Sequence, residues 1–444
     1  MNKEFQKKQN FFSFSDIDSE RKDRIMKFTS TEATPAPHVP PGVLRLTGAA
    51  KEDIPMYRIQ TMNKIFPVGL NRFPSELYEV GDAVQDPQGI LVRSAKLLDL
   101  EFNPGLLAIA RAGVGVNNIP LDRCAAAGIP VFSTPGANAN AVKELVICAM
   151  LMGSRDIPGA IRWVREQAAS GVDVSTVVEK GKSAFIGPEL YKKTLGIIGL
   201  GAIGSIVANT AISLGMDVYG YDPFLSVDTA LRLDRHVHVV KDINDLYKRS
   251  DYITMHIHYT EKTAHMIDAD AIAAMKRGVR VINLARGEIV DDEAMLTALD
   301  TGMVAAYITD FPNNRLLTAP HVIAMPHLGA STPESEQNCA AMAVDALRDY
   351  LENGNIRSSV NLPEMTMDRS GVQRLCVLHK NVPGMLANIT SLFGRDGVNV
   401  ENLSNKSRGD YAYTMVDLGS KVGDNVIEDV RRTANVIRVR SLEW

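Results

Sequence analysis

Along most of the chain, short apolar blocks alternate with longer stretches whose apolar positions recur at helical spacing. Gly89-Ile90-Leu91-Val92, Leu107-Ala108-Ile109-Ala110 and Pro130-Val131-Phe132 read as strands, each a short apolar run bounded by turn-forming or polar residues. Ala141–Ser154 is apolar over helical length and predicts a buried helix. The alternation resumes over Pro188–Pro326, with strands predicted at Tyr252–His256, Val279–Leu284 and Val304–Thr309. Another long helix is predicted over Pro333–Asn353, stopped at Gly354. Such alternation argues for parallel sheets with crossover helices. The fold class is therefore α/β: two Rossmann-like, doubly wound units joined by two long helices, the chain returning to the first unit after completing the second.

The two ends read differently. Met1–Lys27 is polar and charged, and Thr29–Pro41 is rich in Pro, Thr and Ala. Residues 1–55 are thus expected to form a flexible extension, with a short helix near Asp16–Phe28. The last segment, Gln373–Trp444, reads as strand (Arg374–Leu378), helix (Met385–Gly394), two strands (Val398–Ser404, Ala412–Leu418), helix (Val426–Thr433) and strand (Val436–Val439). That βαββαβ order predicts a small ferredoxin-like domain. Its limited core predicts pairing with another copy along a sheet edge.

One apolar run carries a chemical signal. Leu195-Gly196-Ile197-Ile198 leads straight into Gly199-Leu200-Gly201-Ala202-Ile203-Gly204, and a helix-compatible run follows. A second strand-like run, Asp217–Tyr221, ends at Asp222. Glycine fingerprint, flanking strand and helix, and an acid about twenty residues on together point to a dinucleotide site. Gly199 permits the tight turn, Gly201 lets a pyrophosphate approach the backbone, and Gly204 lets helix and strand pack closely. The amides at the helix start, around Ala202 and Ile203, face the phosphate. Asp222 accepts hydrogen bonds from a ribose and repels a 2′-phosphate, so NAD is expected rather than NADP.

Composition narrows the remaining classes. A chain of 444 residues implies several domains, and 45% hydrophobic residues supply their cores. A net charge of −4 leaves no electrostatic footprint for nucleic acid or anionic membrane. Cys124, Cys148, Cys339 and Cys376 are scattered without metal-ligand spacing, and Cys148 and Cys376 are expected to be buried thiols of a reducing compartment. No apolar stretch is long enough to span a bilayer. Lys3, Lys7 and Lys8 are followed by no adequate apolar core, so a cytoplasmic protein is expected.

Two further residues sit at predicted strand ends, where open α/β sheets bind ligands. Arg286, in Asn283-Leu284-Ala285-Arg286-Gly287, offers a guanidinium fork for a carboxylate. His327, in Pro326-His327-Leu328-Gly329-Ala330-Ser331-Thr332, offers a general acid/base. Together these segments resemble the signature of the D-isomer-specific 2-hydroxyacid dehydrogenases, over roughly Tyr57 to Asn361. The resemblance implies Arg286 and His327 as catalytic residues, with Ala285, Asp310, Gly329 and Ala330 joining the glycine turn at the cofactor. It assigns 56–153 with 327–360 to a discontinuous substrate-binding domain and 154–326 to an NAD-binding domain, with a polar linker at 361–371 and a regulatory domain at 372–444.

Three more segments extend the resemblance. Val92-Arg93-Ser94 resembles the loop that holds the substrate's charged groups, and Thr134-Pro135-Gly136-Ala137-Asn138 the turn beside the substrate. Arg111–Ile119 resembles R-A-G-x-G-V-D-N-[IV], with Asn117 where Asp is common. Members sharing these features oxidise 3-phospho-D-glycerate, the first step toward L-serine. Arg93, Ser94, Asn138 and Arg286 are then expected at the substrate, and Lys143 as either a further cation or a helix-surface charge. Another D-2-hydroxyacid substrate, or an NAD-sensing protein without turnover, are the alternatives.

One position departs from the family. The glutamate that orients the histidine falls five residues after Asp310, at Arg315, or at Asn314 in a shorter loop. Neither stabilises an imidazolium as a carboxylate does. The loop is re-registered with another acid in reach, or His327 works with a neutral partner, or turnover is impaired; the second is expected here. Finally, His379-Lys380-Asn381-Val382-Pro383-Gly384 and Gly397-Val398-Asn399-Val400 resemble an ACT domain. The resemblance implies L-serine as an effector held by His379, Asn381 and Asn399 at a seam between subunits of a homodimer or homotetramer.

Overall fold

Three sheets organise the chain in the computed structural model, which describes residues 56–444; the extension expected over 1–55 and its helix near Asp16–Phe28 lie outside the described residues. The first sheet contains β1 (Tyr57–Met62), β2 (Tyr78–Gly81), β3 (Gly89–Val92), β4 (Ala108–Arg111) and β5 (Val131–Phe132), in the order β2-β1-β3-β4-β5. The second contains β6 (Thr194–Ile198), β7 (Asp217–Tyr221), β8 (Val237–Val240), β9 (Tyr252–Met255), β10 (Val279–Asn283), β11 (Val304–Thr309) and β12 (Val322–Ala324), in the order β12-β11-β10-β9-β6-β7-β8. Every pairing in both is parallel. β3 and β9 are buried along their whole length, as expected of parallel strands covered on both faces. The strand order reverses between β6 and its neighbour β9, which opens a crevice at the carboxyl ends of the strands.

Two long helices connect the sheets. Ala139–Arg155 buries Val142, Val146, Ala149 and Met150 against the second sheet. Cys148 was expected to be buried and is exposed. The helix is apolar nearly all round, but only one stripe faces the sheet, and Cys148 shares the outward stripe with Glu144, Leu151 and Arg155. Pro333–Asn353 starts where the Thr332 side chain accepts from the Ser335 amide at 3.1 Å, with Pro333 in the first turn. It ends at Gly354 in the left-handed conformation, φ 75°. Its apolar face, with Ala343, Val344, Leu347 and Leu351, returns the chain to the first sheet. Between the two sheets lie helices Ile157–Ala169 and Val174–Gly181, which the apolar pattern did not single out. Neither has a buried residue; Trp163 and Phe185 tie the segment together, ring centroids 6.1 Å apart.

The third sheet comprises β13 (Gln373–Lys380), β14 (Val400–Arg408), β15 (Tyr411–Leu418) and β16 (Val436–Glu443), antiparallel in the order β14-β15-β13-β16. Alternate residues of each strand face opposite sides. Leu375, Val377 and Val416 pack under helices Met385–Arg395 and Asp424–Arg432. Cys376, Leu378, Tyr413 and Met415 pack instead on Leu347, Tyr350 and Ile356 of the first unit. The docking also satisfies the carbonyls that helix Pro333–Asn353 leaves open at its end. Arg440 donates to Tyr350 O at 3.0 Å and Leu351 O at 2.9 Å, Arg374 to Asn353 O at 2.8 Å, and the Tyr413 hydroxyl to Gly354 O at 2.7 Å. Arg374 is itself fully buried with Asp417, Nε to Oδ1 2.5 Å and Nη2 to Oδ2 2.7 Å. Removing one partner of such a pair costs about 3–5 kcal/mol. Residues 361–371 are polar at alternate positions as a linker would be, but Leu362, Met365 and Met367 are buried in the shared core, so the first part of this connection is packed down.

Candidate active site

The glycine turn shows why each glycine stands where it does. Gly199 has φ 90°, and a Cβ there would meet His256 O at 2.7 Å. A Cβ on Gly204 would collide with the Gly199 carbonyl oxygen, so helix and strand could not close. Gly201 has open space where its Cβ would point. The amides of Ala202 and Ile203 lie in the first turn of helix Ala202–Ser213, where helical amides lack internal acceptors. Asp222, just past β7, accepts from Leu200 N at 2.9 Å and Phe224 N at 2.8 Å, which fixes its carboxylate beside the turn. An open glycine cradle, a helix start and a pinned acid fit a dinucleotide.

Strands β10, β11 and β12 bring the other chemistry to the same edge. Buried Asn283 fastens the loop after β10: Nδ2 donates to Arg286 O at 2.9 Å, and Oδ1 accepts from Ala285 N at 3.1 Å. The Arg286 guanidinium lies over the Phe311 ring, 5.7 Å from its centroid. The His327 ring lies against the other partner of that contact, 4.6 Å from the Phe311 centroid. Phe311 therefore contacts both polar groups. Sequence reasoning missed it; its place directly after Asp310 was the available signal.

Asp310 is 1% exposed. Its Oδ2 accepts from Gly329 N at 3.1 Å, while its buried Oδ1 has no partner among the described residues. Burial pushes its carboxyl above the usual range, with the Gly329 amide and the His327 charge pulling the other way. A buried acceptor without a donor suits the amide of a nicotinamide. Arg315, in the family's glutamate position, turns outward to pair with Glu293, and Asn313 anchors the loop on Asp292 at 2.6 Å. No acid among the described residues forms an ion pair with His327.

The first sheet supplies further cations. Arg93, after β3, pairs with Glu336 of the long helix, and the Ser94 amide donates to Asn63 Oδ1 at 3.0 Å. Arg111, ending β4, donates from Nε to Arg93 O at 3.0 Å and has no acid partner among the described residues. Burial pushes its guanidinium below the usual range, and the charges of Arg286 and Arg93 add to that. Thr134 Oγ1 and Asn138 Oδ1, from the turn after β5, are buried without a hydrogen-bond partner among the described residues. Lys143 stays on the helix surface, donating to Asn140 Oδ1 at 2.7 Å, 3.8 Å from Glu144.

The three residues expected at an effector are not assembled within one protomer. His379 is 2% exposed, with Nδ1 against Lys380 O at 2.8 Å and Nε2 against Thr414 Oγ1 at 2.9 Å. Asn381 is exposed, its Nδ2 donating to Gly409 O at 3.1 Å. Asn399 is at the other end of the sheet: its carbonyl accepts from Gly419 N, whereas His379 pairs with Ala412. The span from Ala412 to Gly419 is about 23 Å at about 3.3 Å per residue.

Residues 147–329 match the family described as D-isomer specific 2-hydroxyacid dehydrogenase, NAD binding domain. The D-3-phosphoglycerate dehydrogenase of Synechocystis sp. is 38% identical over 299 residues, 65% of this chain and 51% of that protein. That of Haemophilus influenzae is 31% identical over 379 residues, 82% of this chain and 88% of that protein. The chain thus spans about half the length of several curated relatives it matches and most of others. A NAD+-bound 3-phosphoglycerate dehydrogenase structure from Entamoeba histolytica aligns at 26% identity with a TM-score of 0.54, covering 69% of this chain and 99% of that one. Among the described residues, no helix is long and apolar enough to cross a membrane.

Proposed function

The chain belongs to the D-isomer-specific 2-hydroxyacid dehydrogenase family, and on that premise we propose that it oxidises 3-phospho-D-glycerate to 3-phosphohydroxypyruvate with NAD. The observation that carries this reading is the convergence of Arg286 and His327 on Phe311, at the edge that holds the glycine turn. NAD, when bound, supplies the acceptor for the hydrogen leaving the substrate carbon. Gly201 and the amides of Ala202 and Ile203 receive its pyrophosphate, Asp222 a ribose, and Asp310 Oδ1 the carboxamide, with Ala285, Gly329 and Ala330 as backbone walls.

His327 takes the hydroxyl proton as the carbonyl forms. Such a general base contributes about 10²–10⁴ in rate. Arg286 holds the carboxylate and stabilises charge that develops on the neighbouring oxygen. Phe311 orients both groups, a task that in other members falls partly to a carboxylate. Arg93, Ser94 and Asn138 line the substrate side. His327 then passes the proton to water, and its imidazolium is carried without a neighbouring glutamate.

The test is NADH formation from 3-phosphoglycerate, D-glycerate, lactate and 2-hydroxyglutarate by the full chain. Turnover is expected to be highest with 3-phosphoglycerate and to fall about 10²–10⁴-fold in His327→Asn. A higher kcat/KM for an unphosphorylated acid, or equal turnover in the variant, overturns the reading. We further place the C-terminal sheet as an ACT-like sensor of L-serine, the protein as a homo-oligomer and its site of action in the cytoplasm. Support comes from the motif residues His379, Asn381 and Asn399 and from four unpaired thiols.

A further inference from the structure

A cavity of about 410 Å³ lies where loops from all three sheets meet, within the range of about 300–1,000 Å³ usual for small-molecule sites. Its walls include Ser133 from the first unit, Arg286 and Glu288 from the second, Ser359 and Glu364 from the connection after the long helix, and Arg408 from the third sheet. Arg408 ends β14, directly before the turn at Gly409 and Asp410 that leads into β15. Its Nη1 donates to Ser359 O at 2.9 Å, which leaves the rest of the fork for other acceptors.

The charge pattern narrows what the cavity takes. Arg93, expected at the substrate, is already engaged by Glu336. Neither Arg286 nor Arg408 forms an ion pair with any acid among the described residues. Glu288 and Glu364 line the same cavity without pairing to them, so both guanidiniums keep their charge free for an anionic ligand. Guanidinium forks match carboxylate and phosphate oxygens bidentately. The proposed substrate carries one of each, on opposite ends of a three-carbon chain.

We propose that Arg408 binds the phosphate of the substrate while Arg286 binds its carboxylate, so that the C-terminal sheet forms part of the active-site cleft. This rests on the proposed reaction. The turn that carries Arg408 is gripped by Asn381, whose amide nitrogens donate to Gly409 O at 3.1 Å and Asp410 O at 2.9 Å. Arg408 is exposed, so its replacement removes one surface contact and no core packing.

The experiment compares wild type, Arg408→Gln and Arg408→Lys, full chain, with 3-phosphoglycerate and D-glycerate as substrates. Loss of a charge-assisted contact is expected to raise KM for 3-phosphoglycerate about tenfold or more in R408Q, with kcat and NADH affinity unchanged. R408K recovers part of the loss. The kcat/KM for D-glycerate, which has no phosphate, is the same in all three proteins. An unchanged KM in R408Q, or an equal loss with D-glycerate, overturns the assignment while wild-type turnover of 3-phosphoglycerate leaves the proposed reaction standing. If wild type does not oxidise 3-phosphoglycerate, the reaction itself fails and the phosphate site falls with it.

Discussion

Asp310 shows how much one buried oxygen decides. Its carboxylate is enclosed, half-satisfied, and pushed toward its neutral form by burial. Asp310→Asn keeps the shape and an acceptor for Gly329 N, and removes the buried charge. The native carboxyl holds its proton more tightly than the unfolded one, so the cost of ionising it is absent below the unfolded value. That cost grows as pH rises through the native value. The variant is therefore expected to be more stable by about 1 kcal/mol at neutral pH, with no gain in acid. Melting temperatures across a pH series check this; an equal gain in acid sinks it. Turnover should fall, because an amide there presents a competing donor to the carboxamide. Asp310 was legible beside the strand preceding it. Phe311 was not, because its role depends on Arg286 and His327 arriving from separate strands, and a sequence does not display which strand ends become neighbours.

The glycine turn belongs to the scale of elements, since its effect is to join β6 to helix Ala202–Ser213. Gly201 and Gly204 look alike in sequence and differ in surroundings. Gly204→Ala drives a methyl into the Gly199 carbonyl and is expected to cost about 1–3 kcal/mol of stability. Gly201→Ala meets open space, so the fold should keep its melting temperature while NAD affinity falls. Calorimetry and NADH titration separate the two; a destabilised Gly201→Ala protein, or one with normal affinity, contradicts the assignment. At this scale the strands were readable because short fully apolar blocks have few other fates. Helices Ile157–Ala169 and Val174–Gly181 were less so, because with no buried face they carry a weak periodic signal.

At the scale of the molecule, the surprise is the docking of the third sheet. A trace of it was present in Leu375-Cys376-Val377-Leu378, apolar at both parities, which marks a strand buried on both faces. What the pattern lacked was the partner, the carbonyl end of a helix far away in the chain. The sheet's free edge and the separation of Asn399 from Asn381 bear on regulation. A serine site using both residues needs two copies, each lending one side chain. L-serine is expected to slow the enzyme, and both Asn381→Ala and Asn399→Ala should abolish that response. Mixed oligomers of the two variants should regain part of it, because one seam then holds both intact residues; rate measurements with and without serine decide, and no recovery argues against a shared site. The outward face of helix Ala139–Arg155 has a practical side as well. Cys124, Cys339 and Cys376 are buried, and burial pushes the Cys124 thiol up to about 12. A thiol-reactive dye therefore has one address on the folded protomer, Cys148, on the helix that links the two parallel sheets. Changes at that junction on adding NADH or substrate can be followed by fluorescence from the native sequence, with no cysteine engineered in or out.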